Sequence, residues 1–355
     1  MQVAALDLVP YRLALRESVV WNGERRDHRE GVLLRLTDLE GRTGWGDAAP
    51  LPGFSRETLD QARAALEAVG TVIVGRPLDA RDVLRPDGAF ATMLDVAGVP
   101  SSARFALDLA LVDLAAQTLG RSLPQALHPD PAVVLPLNGL VMGALEGGVA
   151  SASRLAEERY QAVKVKVGRA TVDEDIEAVT AIRKTLPDWV ALRLDANRAW
   201  TWDEAVRFAE ATSSLDLDYV EEPLAAASRM PELWVDTRMP VALDETLQQP
   251  GGGESIRGWA EAIVLKPTLV GGLMASLRMA AAARSVGVRS VLSASFESGV
   301  GLRGVAASAA ATDAEPAGLD TYRWLAEDVL GPLPFSQPTV DVSALFGAPL
   351  DLEVA

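Results

Sequence analysis

The sequence predicts an α/β protein in which a parallel barrel follows a smaller α+β domain. From residue 133 onward, short apolar runs alternate with amphipathic stretches, which is the pattern of repeated βα units. The repeat supplies seven strands and a short eighth near 318–321, and eight parallel strands favour a closed barrel. No glycine-rich phosphate loop follows the first of these strands, which weakens the alternative of an open doubly wound sheet. The 355 residues are enough for both units.

The first domain is expected to span residues 1–98. Apolar residues alternate along its beginning, and a strand is predicted over 32–36. Between them lies a charged segment, 16–31, which is long for a hairpin loop and is typical of a lid, a binding segment or a disordered loop. A helix is predicted to be capped by Ser55 and to end at Gly70.

The barrel domain is expected to span residues 99–321, and the proline-rich segment 322–355 is expected to return to the first domain. Ser101 or Ser102 is predicted to cap an apolar helix that runs to Gly120. The predicted strands of the repeat are 135–141, 162–167, 189–195, 218–222, 240–245, 262–266 and 289–295. The predicted helices between them include 171–185, 202–212 and 273–286.

Composition restricts the partners and the compartment. A formal net charge of −16 argues against nucleic acid and anionic membranes as partners, because both require a basic surface. The chain has no cysteine, which excludes disulfides, thiolate nucleophiles and thiolate metal ligands. It has no signal-peptide pattern and no apolar stretch of about 18 residues, so a cytoplasmic protein is expected. The sequence leaves the oligomeric state open.

Lysine is rare in this chain. The 33 basic residues include only four lysines: Lys164, Lys166, Lys184 and Lys266. Lys164 and Lys166 alternate with valines, so on a strand they share one face. Arginine stays protonated in proteins, whereas lysine can titrate, and each ammonium disfavours charge on its neighbour, so one of the two could act as a base. The plainer interpretation is a half-exposed strand with lysines in solvent.

Charged residues follow one predicted strand after another, at the carboxyl ends where barrels carry their chemistry. Lys166, Asp195, Glu221, Asp244 and Lys266 are separated by 29, 26, 23 and 22 residues, about one βα unit each. Three carboxylates on adjacent strands form a hard oxygen site that suits Mg²⁺, although each acid alone could also cap a helix or pair with an arginine. A lysine on each side of the metal could reach either face of a bound carboxylate substrate. Mg²⁺ acidifies the α-carbon of such a substrate because it stabilises the resulting enediolate.

These residues make the chain similar to the enolase superfamily, in its muconate cycloisomerase-like branch, and within it to the o-succinylbenzoate synthase family of menaquinone biosynthesis. The similarity of the barrel rests on Leu135-Pro-Leu-Asn-Gly139, Val163-Lys-Val-Lys-Val-Gly168, Leu192-Arg-Leu-Asp-Ala-Asn-Arg-Ala-Trp200, Glu221-Glu-Pro223 and Lys266-Pro-Thr-Leu269. The segment Gly44-Trp-Gly-Asp-Ala-Ala-Pro-Leu-Pro-Gly-Phe-Ser55 resembles the capping region of that family.

The resemblance implies a modified TIM barrel, (β/α)₇β, with an N-terminal α+β capping domain. It also implies a lyase that carries out the Mg²⁺-dependent syn dehydration of a small dicarboxylate, 2-succinyl-6-hydroxy-2,4-cyclohexadiene-1-carboxylate, to 2-succinylbenzoate. In this scheme Lys166 abstracts the α-proton and later protonates the departing hydroxide, and Lys266 stabilises the enediolate by its charge and a cation–π contact. The two lysines could also share the proton transfers. Lys164 keeps the site positive, and the metal ligands are Asp195, Glu221 and Asp244.

Strand parity favours Glu221 over Glu222 as the metal ligand, because Glu222 begins the turn. By the same parity Arg193 points into the barrel, either toward substrate or into a buried structural pair. The candidate substrate contacts are Asn197, Ser295, Glu297, Gly299 and Phe54, with Phe54 and the segment around Trp21 as a cover over the substrate ring.

Two other functions fit the same residues. A racemase of N-acylamino acids or an epimerase of dipeptides, from the same superfamily, would use Lys166 and Lys266 to exchange a proton on either face. A non-catalytic barrel that binds Mg²⁺ and an anion is the alternative outside enzymology, but a binding site has no use for lysines on opposed faces.

Overall fold

The computed structural model describes residues 1–21, 23–141, 145–249, 251–312, 315–333, 335–336, 338–348, 350 and 352. The strands are β1 (Val3–Trp21), β2 (Glu24–Asp38), β3 (Thr43–Ala48), β4 (Val134–Pro136), β5 (Asn138–Val141), β6 (Ala162–Lys166), β7 (Ala191–Asp195), β8 (Leu217–Glu221), β9 (Val241–Leu243), β10 (Ala262–Leu265), β11 (Arg289–Leu292), β12 (Phe335–Ser336) and β13 (Thr339–Asp341). The helices are α1 (Leu59–Ile73), α2 (Ala80–Val83), α3 (Ala89–Val96), α4 (Ser101–Thr118), α5 (Leu123–Leu127), α6 (Leu145–Glu157), α7 (Val172–Thr185), α8 (Trp202–Thr212), α9 (Met230–Thr237), α10 (Pro267–Val270), α11 (Leu273–Ser285), α12 (Gly299–Ala310) and α13 (Val342–Leu345).

The N-terminal sheet is antiparallel, in the order β1-β2-β3. β1 and β2 stay paired from Tyr11 and Gly31 as far as Trp21 and Glu24, so residues 11–21 and 24–31 form a two-stranded ribbon, and the expectation of a long loop over 16–31 was wrong. The ribbon buries Leu13, Leu15 and Trp21. Charged residues between these positions, and a register shift after Ala14, hide the strand alternation in the sequence.

α1 packs against this sheet and begins later than predicted. Its N-cap is Thr58, not Ser55: the Thr58 hydroxyl accepts a hydrogen bond from the N–H of Gln61, and the Gln61 side chain accepts one from the N–H of Thr58. Gly70 does not end the helix but lies inside it, buried, where an added Cβ would lie 3.1 Å from Leu6 Cδ1. This glycine therefore serves close packing.

α4 is buried on almost all sides, as its apolar sequence requires, and it contacts both β3 and α10. A Cβ added to Gly46 of β3 would lie 1.9 Å from the carbonyl oxygen of Ala106, so only glycine fits this close approach. Neither predicted serine caps the helix. Its N-cap is Pro100, and the Ser102 hydroxyl donates instead to Glu57 Oε1 at 2.6 Å.

Seven parallel strands form the barrel sheet, in the order β5-β6-β7-β8-β9-β10-β11. Ala317 makes a parallel bridge to Leu137 beside β5, and Gly318 makes one to Ser293 beside β11. These two residues connect both edges of the sheet and act as the short eighth strand, and Asp320–Trp324 is a 3-10 turn. The predicted fold class, a (β/α)₇β barrel with an N-terminal α+β unit, is confirmed.

Arg193 lies inside the barrel and forms a structural pair. Its guanidinium donates to Asp218 Oδ2 at 2.8 Å, to Glu315 Oε2 at 2.9 Å and to the carbonyl of Pro316 at 2.7 Å. It also lies 5.1 Å from the ring centroid of Tyr219. Because every bond goes to protein groups, this residue ties β7 to β8 and to the segment that closes the barrel.

The C-terminal segment contacts both parts of the molecule. Leu325 forms a bridge to Leu15, and the N–H of Ala326 donates to the carbonyl of Ala14 at 2.8 Å. Further along, β13 pairs with β4. The division into domains after residues 98 and 321 remains a prediction. Within the described ranges, no helix combines the length and the apolar character needed to cross a membrane.

Candidate active site

Charged side chains from consecutive elements meet at the carboxyl ends of the barrel strands. Their order around the barrel is Lys164 and Lys166 on β6, Asp195 at the end of β7, Glu221 at the end of β8, Asp244 after β9 and Lys266 after β10. The strand-end rule predicts this arrangement, and the structure brings all six side chains together. Their chemical roles remain predictions.

Four ion pairs form among these side chains. Lys164 Nζ lies 2.9 Å from Asp195 Oδ2 and 2.6 Å from Glu221 Oε2. Lys166 Nζ donates to Asp195 Oδ2 at 2.6 Å, and Lys266 Nζ donates to Asp244 Oδ2. The three carboxylate residues are only 1–2% exposed, so the pairs form in an environment with little water to screen them.

The carboxylates dominate the electrostatics of the lysines. Burial disfavours the charge of Lys164, but Asp195 and Glu221 prevail and hold its pKa well above the ordinary range. Burial likewise opposes the charge of Lys266, whose pKa is raised by Asp244. From the sequence, the neighbouring ammonium was expected to lower the pKa of one lysine. At Lys164 the carboxylates of Asp195 and Glu221 outweigh this effect. In return, Lys164 and Lys166 overcome the effect of burial and lower the pKa of Asp195.

The donor chemistry fits a hard divalent cation. Glu221 Oε1 is buried and has no hydrogen-bond partner among the described residues. Burial and the nearby carboxylates of Asp195 and Asp244 raise the pKa of Glu221 to about 8, against the charge of Lys164. A cation here would give this oxygen a partner and favour the charged form of Glu221 beside Asp195 and Asp244. As the side chains lie, ammonium groups bridge the acids, and the described part of the chain has no group of three or more acidic or histidine residues arranged to hold a metal ion. Binding of Mg²⁺ by Asp195, Glu221 and Asp244 therefore remains a prediction.

The adjacent acids Glu221 and Glu222 face different parts of the molecule. Glu222 accepts hydrogen bonds from the N–H of Asp244 at 2.9 Å, the N–H of Thr246 at 2.7 Å and Arg198 Nε at 2.8 Å. Its φ of +41° turns the chain at this point. The choice of Glu221 as the inward acid agrees with this geometry. The role of Glu222 in fixing the Asp244 turn was missed, although a pair of acids at a strand end is a signal that one must point elsewhere.

Asn197, a predicted substrate contact, is engaged within the protein. Its Oδ1 accepts from Lys166 Nζ at 2.6 Å, and its Nδ2 donates to Glu245 Oε1 at 2.8 Å. It follows β7 in a left-handed conformation, φ +43°, which asparagine tolerates better than most residues. Its observed role is to hold Lys166.

The loop after β11 and the start of α12 hold three predicted substrate contacts: Ser295, Glu297 and Gly299. The Ser295 Oγ is buried with no hydrogen-bond partner among the described residues, so it is available to a ligand. The Glu297 carboxylate accepts from Thr268 Oγ1 at 2.6 Å and from the N–H of Ser295 at 2.5 Å. The N–H of Gly299 donates to Asp328 Oδ1 at 2.8 Å. Glu297 and Gly299 thus fix the loop to other segments, and their contacts with substrate remain predictions.

An apolar cluster lies beside this loop and joins it to the N-terminal unit. Phe54 is half-buried in it, together with the partly buried Phe296 and Trp324. The ring of Trp21 meets that of Phe296 edge to face, with centroids 5.0 Å apart. The buried members are Leu13, Leu15, Trp21, Leu51 and Leu325. A cover over the substrate by Phe54 and Trp21 remains a prediction, but both side chains lie next to the site loop.

Two buried charged residues of the N-terminal sheet were not identified from the sequence. Arg29 Nε donates to the carbonyl of Phe296 at 3.0 Å, and Asp47 accepts hydrogen bonds from Ser298. Both residues therefore fix the loop after β11 from the side of the cap. A lone acid between the apolar residues of β3 is the signal that could have identified Asp47.

Comparison with protein families matches both parts of the chain. Residues 148–353 match the family described as enolase C-terminal domain-like, and residues 3–97 match the family described as MenC, N-terminal domain. The chain is 32% identical to the o-succinylbenzoate synthase of Vibrio cholerae, over 84% of this chain and 83% of that protein. It is 31% identical to the o-succinylbenzoate synthase of Yersinia pseudotuberculosis, over 93% of this chain and 94% of the relative.

Solved structures share the fold at lower identity. Muconate lactonizing enzyme from Pseudomonas fluorescens, in complex with muconolactone, superposes with a TM-score of 0.86 at 23% identity, over 99% of this chain and 97% of that one. A dipeptide epimerase from Enterococcus faecalis, complexed with Mg and the dipeptide L-Leu-L-Tyr, gives a TM-score of 0.86 at 21% identity, over 98% and 99% of the two chains. The chain therefore belongs to the enolase superfamily of enzymes, and within it to the family of the o-succinylbenzoate synthases.

Proposed function

We propose that this protein is an o-succinylbenzoate synthase, which removes water from 2-succinyl-6-hydroxy-2,4-cyclohexadiene-1-carboxylate to give 2-succinylbenzoate in menaquinone biosynthesis. The observation that carries the proposal is the order of groups at the barrel rim, where Lys166 and Lys266 flank a row of three buried carboxylates. Removal of a proton next to a carboxylate requires a base and nearby positive charge, and lysines beside such a row would supply both. The relatives from Vibrio cholerae and Yersinia pseudotuberculosis support the choice of reaction.

Lys166 carries the proton in this proposal. In its neutral form, Nζ takes the proton from the carbon next to the substrate carboxylate, and the C–H electron pair enters the enediolate. The resulting ammonium then returns the proton to the hydroxyl on the neighbouring carbon. The C–O bond breaks and its electron pair leaves with the oxygen of the water, while the enediolate electrons form the new ring double bond that makes the ring aromatic. One residue acts at both steps on the same face, as a syn elimination requires.

Lys266 and Lys164 supply positive charge. Burial opposes the charge of Lys266, but Asp244 raises the pKa of Lys266, so this residue keeps the ammonium form that stabilises the enediolate and contacts the forming ring through a cation–π interaction. Lys164, between Asp195 and Glu221, offsets the negative charge of the acids.

Asp195, Glu221 and Asp244 are the residues that would hold Mg²⁺, which when bound supplies the charge that polarises the substrate carboxylate. The unpartnered buried oxygen of Glu221 supports this assignment. Mg in the structure of the Enterococcus faecalis epimerase supports it as well. The free hydroxyl of Ser295 is the candidate donor to the succinyl arm, and the apolar cluster around Trp21 would exclude water from the ring.

The second candidate function is a racemase of N-acylamino acids or an epimerase of dipeptides. Lysines at both ends of the carboxylate row are also what proton exchange on two faces requires, and a dipeptide epimerase is among the fold neighbours. The two functions make different demands on substrate. Dehydration needs a leaving hydroxyl next to the acidic carbon, whereas racemisation needs none.

The deciding experiment measures both reactions with the purified protein and Mg²⁺. Formation of 2-succinylbenzoate is followed by its absorbance, and racemisation of N-succinylamino acids is followed by polarimetry. We expect kcat/KM for dehydration to exceed that for racemisation by about 100-fold or more. The reverse order would favour the racemase, and absence of both reactions would contradict both the synthase and the N-acylamino acid racemase.

A further inference from the structure

Lys166 on β6 is hydrogen-bonded to Asn197, and Asn197 is hydrogen-bonded to Glu245, which follows β9, three strands away. Its ammonium donates to Asp195 Oδ2 and to Asn197 Oδ1, each at 2.6 Å. Asn197 Nδ2 in turn donates to Glu245 Oε1 at 2.8 Å. We propose that Glu245 is a positioning residue for the proton-transfer step, because it fixes the side-chain amide of Asn197 so that the amide oxygen faces Lys166. This inference rests on the role of Lys166 in the proposed function.

The chemistry of the three groups permits one orientation of the amide. An ammonium only donates hydrogen bonds, and an ionised carboxylate only accepts them. With Oδ1 toward Lys166 and Nδ2 toward Glu245, both contacts are donor to acceptor. The flipped amide would place its NH₂ against the ammonium and its oxygen against the carboxylate, so both contacts would be lost. Lys166 and Glu245 therefore both favour the amide orientation in which Lys166 has its second acceptor, and Glu245 holds the amide from the other side.

The backbone of Asn197 does not depend on Glu245. Asn197 and Arg198 are both left-handed, with φ of +43° and +62°. This turn is fixed by Glu222, whose carbonyl accepts from the N–H of Arg198 at 2.7 Å and whose carboxylate accepts from Arg198 Nε at 2.8 Å. Only the side-chain torsion of Asn197 is left for Glu245 to set, which separates a positioning role from a role in folding.

Glu245 itself stands on a rigid turn. It begins the 3-10 turn Glu245–Gln248, and the Glu222 carboxylate binds the N–H groups on both sides of it, those of Asp244 and Thr246. Glu245 Oε2 is buried and without a hydrogen-bond partner among the described residues, so the observed bond to Asn197 is made by Oε1 alone. The position of the Glu245 carboxylate is thus set by the backbone of the turn and not by further hydrogen bonds of the carboxylate itself.

Loss of Glu245 is expected to free the Asn197 amide and to loosen the ammonium of Lys166. A misplaced base lowers the rate of proton transfer more than it weakens substrate binding. Glu245→Ala should therefore lower kcat by about 10- to 100-fold with KM changed by less than about threefold. Glu245→Gln keeps a side-chain oxygen that can accept from Asn197 Nδ2, and it should recover most of the lost rate.

The test is a double-mutant cycle with an independent structural readout. If Glu245 acts through Asn197, the double variant Glu245→Ala/Asn197→Ala should be no slower than Asn197→Ala alone. The side-chain NH₂ resonances of Asn197, assigned by their loss in Asn197→Ala, should shift in Glu245→Ala. They should stay in place in Glu254→Ala, a matched control that removes an exposed carboxylate from the neighbouring 3-10 turn.

Three results would overturn the inference. They are a wild-type kcat in Glu245→Ala, additive losses of kcat in the double variant, or Asn197 side-chain resonances that do not shift in Glu245→Ala. If the protein racemises N-succinylamino acids and does not dehydrate, the same cycle is measured on that reaction, because Lys166 transfers the proton in both. In that case the proposed dehydration is wrong, but the double-mutant cycle still tests the inference about Glu245. The NMR comparison decides it without any turnover.

Discussion

The carboxylate of Asp47 accepts two hydrogen bonds from Ser298, one from the backbone N–H at 2.9 Å and one from the hydroxyl at 2.8 Å. Its other oxygen accepts from the Tyr11 hydroxyl at 2.9 Å. Asp47 lies on β3 and is fully buried, whereas Ser298 lies in the loop after β11 that also carries Ser295. One buried acid therefore links the N-terminal sheet to the loop that borders the candidate active site.

Asp47→Ala should lower the free energy of unfolding by about 2–4 kcal/mol, because it leaves three buried donors without their acceptor. Urea unfolding followed by circular dichroism measures this loss. Asp7→Ala is the matched control, since Asp7 pairs with Arg35 at a half-exposed position, and it should cost less than about 1 kcal/mol. Equal losses in the two variants would contradict the role given to Asp47.

The stability contributed by Asp47 should depend on pH. Burial raises the pKa of Asp47 to about 6, above the ordinary value of 3.8 that the unfolded chain retains. Between about pH 4 and pH 6 the folded protein therefore binds a proton that the unfolded chain does not, so this contribution falls as the pH rises through that window. Asp47→Asn removes the titration and can keep the acceptor for Ser298. The free energy of unfolding of Asp47→Asn relative to the wild type should rise from pH 4 to pH 6 and be constant above pH 7. If the difference between the two proteins does not change with pH, the prediction is wrong.

Arg193→Met should destabilise the barrel by about 1–3 kcal/mol, because it removes the buried one of the two arginines that pair with Asp218 and Glu315 and leaves only Arg289 beside them. Thermal unfolding measures the effect. Arg63→Ala breaks an exposed helical pair with Glu67 and should cost less than about 1 kcal/mol. A loss at Arg193 no larger than that at Arg63 would show that the buried network contributes little.

Glu221→Gln should weaken Mg²⁺ binding by about tenfold or more, since it replaces a charged oxygen donor in a hard-ligand site. Titration calorimetry with MgCl₂ measures the binding constant directly, without turnover. Glu67→Gln, an exposed change of the same chemistry, is the control and should bind as the wild type does. Unchanged binding in Glu221→Gln would remove this residue from the proposed metal ligands.

The site could be predicted where it depends on local periodicity. Strand parity and the βα repeat place Lys164, Lys166, Asp195, Glu221 and Asp244 at one rim, and both rules follow from backbone geometry alone. The alternation that would have revealed the β1–β2 ribbon is masked by charged residues, because an exposed ribbon needs apolar residues only where it touches the barrel.

Contacts between distant segments could not be predicted in this way. The Glu297 carboxylate reaches Thr268, 29 residues earlier, and the Gly299 N–H reaches Asp328, 29 residues later. Parity correctly placed Arg193 inside the barrel but could not tell a substrate contact from a structural pair, because the distinction depends on where Glu315 lies. Such partners are set by tertiary packing and leave no local pattern.

The most direct test of the account compares the wild-type protein with Lys166→Ala in the formation of 2-succinylbenzoate in the presence of Mg²⁺. The account predicts turnover by the wild type and a loss of about 10³-fold or more in the variant, with Mg²⁺ binding retained. A wild type that forms no 2-succinylbenzoate, or a Lys166→Ala variant that keeps a substantial part of the rate, would contradict it.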